Sequence, residues 1–489
     1  MNDRSHLTKT EDKTVLYIIL ALILFLAVIL IRAILFRPAE EDRAVPDPIA
    51  FDGDAAVKHL RELVMCRTVS YEDHSREDET EFEKLRSLLP EFYPNVFSTC
   101  EFERVGRTGL LFKWKGKSDK APSVLMAHYD VVPVDERGWD KPAFDGIIEN
   151  GELWGRGTLD TKITFCASLE AAETLIKKGF VPENDLYFSY AGDEEVFGTG
   201  ASDIVDLLEK RGITPQMVVD EGGAVVENVF PGVSDKCAMV GIAEKGMIEA
   251  DFTYRGNGGH ASAPLPHGPV GYLSKAVWDV ETHPFPVTLC SPVAQMYDTL
   301  GRRSTFLYRV LFSNLWLFLP VLDLICRKSG GELNALMRTT CAFTQMEGSE
   351  ANNVIPPQAS VGANLRLIDG DSVDGALNYL RKVVNNPDIT ITARHSQEPS
   401  PASDTNSDAW RKVKQAIEQT WTEAIVSPYI MVQCSDSRHF CRISDKVMRF
   451  SAMELSKEER GRIHGNNERI PLDKVGKAVE FYLNLERQC

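Results

Sequence analysis

Three strand-length apolar runs in this chain end abruptly in charged side chains. "SVLMAHYD" ends at His128 and Asp130, "DLYFSYAGDEE" at Asp193, Glu194 and Glu195, and "MVVDEGG" at Asp220 and Glu221. Runs this apolar read as strands covered on both faces, the mark of a parallel sheet between helices rather than a half-exposed antiparallel one. Amphipathic stretches such as "ASLEAAETLIKKG" and "ASDIVDLLEKRG" fall between them. This alternation predicts an α/β architecture with a mostly parallel central sheet. In an open sheet of that kind, side chains at the C-terminal strand ends converge on the crevice where ligands bind.

Taken singly, each charged group has an ordinary explanation. A lone His128 on a strand is usually a satisfied core residue, although Asp130, two positions on, lies on the same side and can orient its imidazole. Asp160 in "GRGTLDTK" fits a helix N-cap. Acids after a strand suit the start of the next helix, and His464 stands between two glycines in "GRIHGNNE". Together they are harder to dismiss, because carboxylates crowded at a partly buried strand end repel one another unless a cation absorbs the charge. Two histidines with Asp and Glu, and no Cys, suit zinc, with manganese or cobalt as alternatives.

At 489 residues the chain exceeds one ordinary domain. A formal charge of −17 excludes a nucleic-acid partner, which needs a basic face. Ten cysteines without a CxxC pair exclude a zinc finger or a thioredoxin-like motif, and leave buried thiols or one or two disulfides open. Thr14 to Ile31 carries no charge, and after Arg32 the apolar run resumes as far as Phe36. This predicts a tail over 1–13, a single transmembrane signal anchor over 14–36 and a Pro-rich linker over 37–50, with the catalytic part outside the cytoplasm. Beyond them the pattern predicts a catalytic domain in two parts, 51–242 and 398–489. Between the parts, 243–397 is expected to be an inserted α+β unit, because "MIEADFTYRG" and "ASVGANLRLI" alternate like half-exposed strands. Within it, Phe306 to Ile325 is long enough for a second span but is interrupted by Arg309, Asn314, Pro320 and Asp323. A pair of apolar helices covering something is the expected form.

The ordered series "MAHYDVVP", "GRGTLDTK", "GDEEVFGTGA", "DEGG", "GGHASAP", "NNVIPP" and "IHGNNE" resembles the M20 family of zinc exopeptidases and aminoacylases, which includes carboxypeptidase S. "SNLWLFLP" and "NALMRTTCAFTQ" are similar to its branch of N-fatty-acyl-amino acid synthase/hydrolases. The similarity runs from about Phe51 to the C-terminus, and Thr161 and Asp369 depart from the family's usual residues. The resemblance implies a zinc-exopeptidase-like catalytic domain, an inserted dimerisation or lid domain, a homodimer and two zinc ions per chain. His128 and Asp220 would hold one ion, Glu195 and His464 the other, and Asp160 would bridge them. Glu194 would be the general base, Asp130 would support His128 from behind, and His260 would stabilise the oxyanion from a partner subunit. Asn353, Arg366 and Arg438 would bind a substrate carboxylate.

The chemistry implied is hydrolysis of an amide beside a free amino-acid carboxylate. The leading substrate is an N-acyl amino acid with a long fatty-acyl chain, the reverse condensation included. Residues such as Trp316 and Phe318 in the apolar segment are expected to receive the acyl chain. The alternative is a carboxypeptidase S-like exopeptidase acting on peptides. A non-catalytic metal-binding scaffold is the rival from another class, and the intact ligand set speaks against it.

Overall fold

The computed structural model describes residues 3–39 and 47–489, with side chains from Thr14 onward. The linker stretch 40–46, residues 1–2 and the side chains of the N-terminal tail lie outside the described residues. Helix α1 (Asp3–Leu35) contains the apolar stretch Thr14–Leu35, and this is the one described helix both long and apolar enough to cross a membrane.

In chain order the strands are β1 (Glu101–Val105), β2 (Gly109–Trp114), β3 (Ser118–His128), β4 (Asn184–Ala191), β5 (Met217–Val226) and β6 (Cys237–Glu244). An insertion then contributes β7 (Gly246–Arg255), β8 (Thr340–Glu347), β9 (Gln358–Leu367) and β10 (Ile389–Gln397), before β11 (Ile425–Met431) and β12 (Val447–Leu455) return to the first sheet. That eight-stranded sheet has the order β1-β2-β4-β3-β5-β12-β6-β11. Strands β4, β3, β5 and β12 form a parallel core. The sheet as a whole is mixed: β2 joins the core antiparallel and β1 joins β2 antiparallel, while β6 and β11 run parallel to each other but against the parallel core. The short link between β1 and β2 dictates their sense, since a tight turn joins antiparallel neighbours.

The parallel core explains the apolar runs. Every residue of β4 after Asn184 is buried, and helix α2 (Lys162–Lys177) is buried along most of its length beneath the sheet. The "DEGG" glycines serve strand packing: a Cβ on Gly223 would lie 1.8 Å from the Met239 carbonyl oxygen, so β5 approaches β6 this closely only with glycine there.

The insertion's sheet, β8-β9-β7-β10, is antiparallel. Its own core joins Ile248, Phe252, Leu365 and Leu380 with the helix Pro269–Thr282. The stretch around Val293, Met296, Leu300, Phe312 and Met337 packs instead into the core of the first sheet. It includes helices α3 (Phe306–Phe312) and α4 (Leu315–Ser329), bent by 105° at their junction. All ten cysteines are free and seven are buried, so the disulfide alternative is not taken.

Candidate metal centre

The C-terminal edge of the parallel core gathers His128 from the end of β3, Glu194 and Glu195 from the turn after β4, and Glu221 from β5. Asp160, on the loop before α2, enters from the side. His128 Nε2 lies 3.2 Å from Asp160 Oδ1 and 3.2 Å from Glu221 Oε1. His464 Nε2 lies 3.1 Å from Asp160 Oδ2 and 2.9 Å from Glu195 Oε2. Asp160 therefore stands between the two histidines with one oxygen toward each. Ligand-capable atoms of His128, Asp160 and Glu195, and those of His128, Glu194 and Glu221, each fall within 4.8 Å of one another.

One expected ligand is placed differently. The Asp220 carboxylate accepts from the backbone N–H groups of Glu221 (2.9 Å) and Ser437 (2.9 Å), and Glu221 takes the position facing His128. Adjacent strand residues point to opposite faces, so only one of this pair reaches the histidine.

The supporting contacts account for the three consecutive acids. Asp193 turns away, and its Oδ1 accepts from the Gly200 N–H at 3.2 Å. A Cβ on Gly198 would lie 2.2 Å from the Asp193 Cγ, so the "GTG" glycines make room for this buried carboxylate. Asp130, fully buried, accepts from the N–H groups of Glu194 and Glu195 (3.2 Å each) and from the Ser70 hydroxyl (2.7 Å). His128 Nδ1 faces the Asp130 carbonyl oxygen at 3.1 Å and Oδ1 at 3.3 Å, which leaves Nε2 for the site. One buried aspartate thus orients the histidine and the Glu194–Glu195 turn together.

Sequence reasoning missed Glu468. Its Oε1 accepts from the N–H groups of Gly157 (3.1 Å), Leu159 (2.7 Å) and Asp160 (3.2 Å), while Oε2 pairs with Arg156 at 2.6 Å. Arg156 also donates to the Gly465 carbonyl at 2.8 Å. This buried pair clamps the Asp160 loop to the His464 loop. The visible signal was the Glu that closes "IHGNNE".

The site is short of positive charge. Burial, partly offset by His128, drives Glu194 well above the ordinary carboxyl range. Burial and the neighbouring Asp160 push Glu221 to about 8, and the same two causes raise Glu195. Hydrogen bonds to Asp160 and Glu195 lift His464 to about 10. Burial would lower His128, but Glu221, Asp130 and Asp160 raise it well above its ordinary value. Burial would raise Asp160, yet the two histidines hold it low. Two histidines do not balance four inward carboxylates. Divalent cations would, and this N/O donor set fits them.

Asp160, Glu194, Glu195, Glu221 and His464 form one end of a cavity of about 980 Å³ whose walls elsewhere include Phe230, Met239, Met296, Leu300 and Met453. Trp316 and Phe318 do not line it, so the apolar segment expected to hold an acyl chain is not its wall. Cys434 and Ser435 do, and they carry two of the expected carboxylate binders on their flank. Arg366 Nη1 lies 3.2 Å from Cys434 Sγ, and Arg438 donates to the Ser435 carbonyl at 3.1 Å. His260 is exposed on a two-stranded ribbon, Gly259–His260 with Val354–Ile355, and faces Ser262 Oγ at 2.7 Å. Asn353 adjoins it, its carbonyl accepting from the Ala261 N–H at 3.0 Å. Neither is among the side chains gathered around His128.

An α/β sheet carrying paired histidines and carboxylates at its C-terminal edge, opening into a cleft, defines a metal-dependent hydrolase of amide or peptide bonds. The chain belongs to peptidase family M20/M25/M40, whose pattern matches residues 124–488. It is 33% identical over 438 residues to the probable carboxypeptidase S-like 2 of Dictyostelium discoideum, covering 88% of this chain and 84% of that protein. It is 31% identical over 478 residues to the N-fatty-acyl-amino acid synthase/hydrolase PM20D1 of Xenopus tropicalis, covering 96% and 93%. An M20 family metallo-carboxypeptidase from Sulfolobus solfataricus shares the fold, with a TM-score of 0.64 at 19% identity over 89% of this chain and 99% of that one.

Proposed function

We propose that the chain is a membrane-anchored, dinuclear zinc amidohydrolase that cleaves N-acyl amino acids with long acyl chains. The observation that carries this reading is the cavity, which joins the site carboxylates to an apolar wall of Phe230, Met239, Met296, Leu300 and Met453, with Glu332, Lys457 and Arg460 also on its lining. Helix α1 is the anchor, with the catalytic part outside the cytoplasm. The Xenopus relative, named for fatty-acyl-amino acids, supports the substrate class.

His128 and Glu221 would hold one cation and His464 and Glu195 the other, and Asp160 stands between the two histidines. Bound zinc supplies a Lewis acid that polarises the scissile carbonyl and lowers the pKa of water. Glu194 takes the proton from the attacking water and returns it to the nitrogen of the leaving amino acid. Burial raises its proton affinity above that of an ordinary carboxylate. Arg366, Arg438 and Asn353 bind the free carboxylate. His260 stabilises the oxyanion from the partner subunit of a homodimer. Mixing His260→Ala chains with Glu194→Gln chains should therefore restore about a quarter of wild-type activity, since half the dimers are mixed and each has one intact site. No recovery after verified subunit exchange would place His260 outside the reaction or in its own subunit's site.

The Dictyostelium relative, named carboxypeptidase S-like, supports a second reading in which C-terminal residues are released from peptides. Hydrolysis of a long-chain N-acyl amino acid and of a blocked dipeptide by the same preparation separates the two. Preference for the acyl substrate is expected; faster turnover of the dipeptide would install the second reading.

A further inference from the structure

We infer that the bent helix pair α3–α4 is a membrane-embedded elbow that enters the bilayer beside α1 without crossing it. The inference rests on α1 being the membrane helix. Neither member spans alone: α4, the longer, has 15 residues, about 22 Å of helix against a hydrocarbon thickness of about 30 Å. The pair nevertheless exposes Phe306, Leu307, Trp316, Val321, Leu324 and Ile325, each at least 45% accessible. An unpaired apolar surface of this extent marks an interaction site.

What covers it follows from where α1 docks. Phe25 of α1 packs edge-on against Trp316 with ring centroids 6.2 Å apart, and Ile29 and Ala33 are buried. Phe25 lies ten residues before Leu35, about 15 Å along the helix axis. If Thr14–Leu35 spans, Trp316 stands level with the middle of the span, and the exposed face of the elbow meets acyl chains.

Two backbone carbonyls at the junction are bonded by side chains from across the contact, as such a position favours, whereas Asn314 Oδ1 and Arg309 Nε are buried without a partner. The break between α3 and α4 leaves the Ser313 carbonyl outside the helical ladder, and Arg32 of α1 donates to it through Nε (3.1 Å) and Nη2 (2.8 Å). Asn314 Nδ2 donates to the Ile29 carbonyl at 3.2 Å and to the Val310 carbonyl at 2.9 Å. Two polar residues that interrupt the apolar runs, Arg32 and Asn314, thus bond across the contact. On its inner side the elbow backs onto the cavity: Phe312 lies 4.7 Å, centroid to centroid, from Phe230 in the cavity wall.

The test uses the full chain in phosphatidylcholine vesicles, with a cysteine-linked environment-sensitive fluorophore at Leu307→Cys, Leu324→Cys, Leu24→Cys on α1, or Val181→Cys on the catalytic domain. All four positions are exposed, so cysteine disturbs no packing, and labelling of the unsubstituted chain is subtracted. Quenching by lipids brominated on their acyl chains is compared with quenching by aqueous iodide. The elbow predicts that Leu307 and Leu324 behave like Leu24, quenched by bromolipid and at least several-fold less by iodide than Val181. Quenching at Leu24 alone, with Leu307 and Leu324 as open to iodide as Val181, would overturn the elbow and leave the anchor standing. Failure of bromolipid to reach all three would overturn both.

Discussion

The two ends of the cavity are built by different physics. At the metal end, position is fixed by directional bonds: Asp130 holds the Glu194–Glu195 turn by two backbone N–H groups, and Glu468 holds the Asp160 loop by three. On the apolar part of the wall Phe230, Met239, Met296, Leu300 and Met453 offer surface without direction, and affinity there scales with the apolar area removed from water. Damage should differ accordingly. A change at the directional end abolishes turnover for every substrate, whereas a change at the apolar end alters which substrate is preferred.

The largest effect is expected at Glu194. Glu194→Gln keeps the shape and removes the proton acceptor, so kcat should fall by at least about 100-fold while metal content, measured by elemental analysis, stays at the wild-type value. Near-normal turnover would remove Glu194 from the chemistry. Next comes the contrast between neighbours on β5. Glu221→Gln should lose metal, and Asp220→Asn, whose carboxylate faces backbone N–H groups, should keep it. The opposite pattern would make Asp220 the ligand. Smaller again, Glu468→Gln breaks the Arg156 pair without emptying the space, and metal affinity by competitive chelation should weaken about 10- to 100-fold. Unchanged affinity would show that the loop clamp does not orient Asp160 and His464.

The same contrast explains what the sequence made legible. Strands that end in charge announced an α/β sheet and a shared edge, and His128, Asp160, Glu195 and His464 do meet there. The choice between Asp220 and Glu221 was not legible, because the register of the strand decides which of two adjacent acids faces inward. Glu468 was hidden for another reason: it acts on Arg156, 312 positions away in sequence. A run such as Phe306 to Ile325 shows that something apolar is covered but not from which side, and the structure turns Trp316 outward from the cavity. The antiparallel flanks of the sheet likewise follow from pairing partners that composition does not name.

The most direct test of the two-ended cavity is kcat/KM across one series of N-acyl amino acids, from acetyl to long-chain acyl, in the wild type and in Met296→Trp. A buried methylene is worth about 0.8 kcal/mol, so each pair of added carbons should raise kcat/KM by up to roughly 15-fold until the cavity is full. Met296→Trp narrows the apolar end; it should stop that rise at a shorter chain and leave the acetyl substrate within about twofold of wild type. A wild-type profile that is flat or falls with chain length would contradict the account.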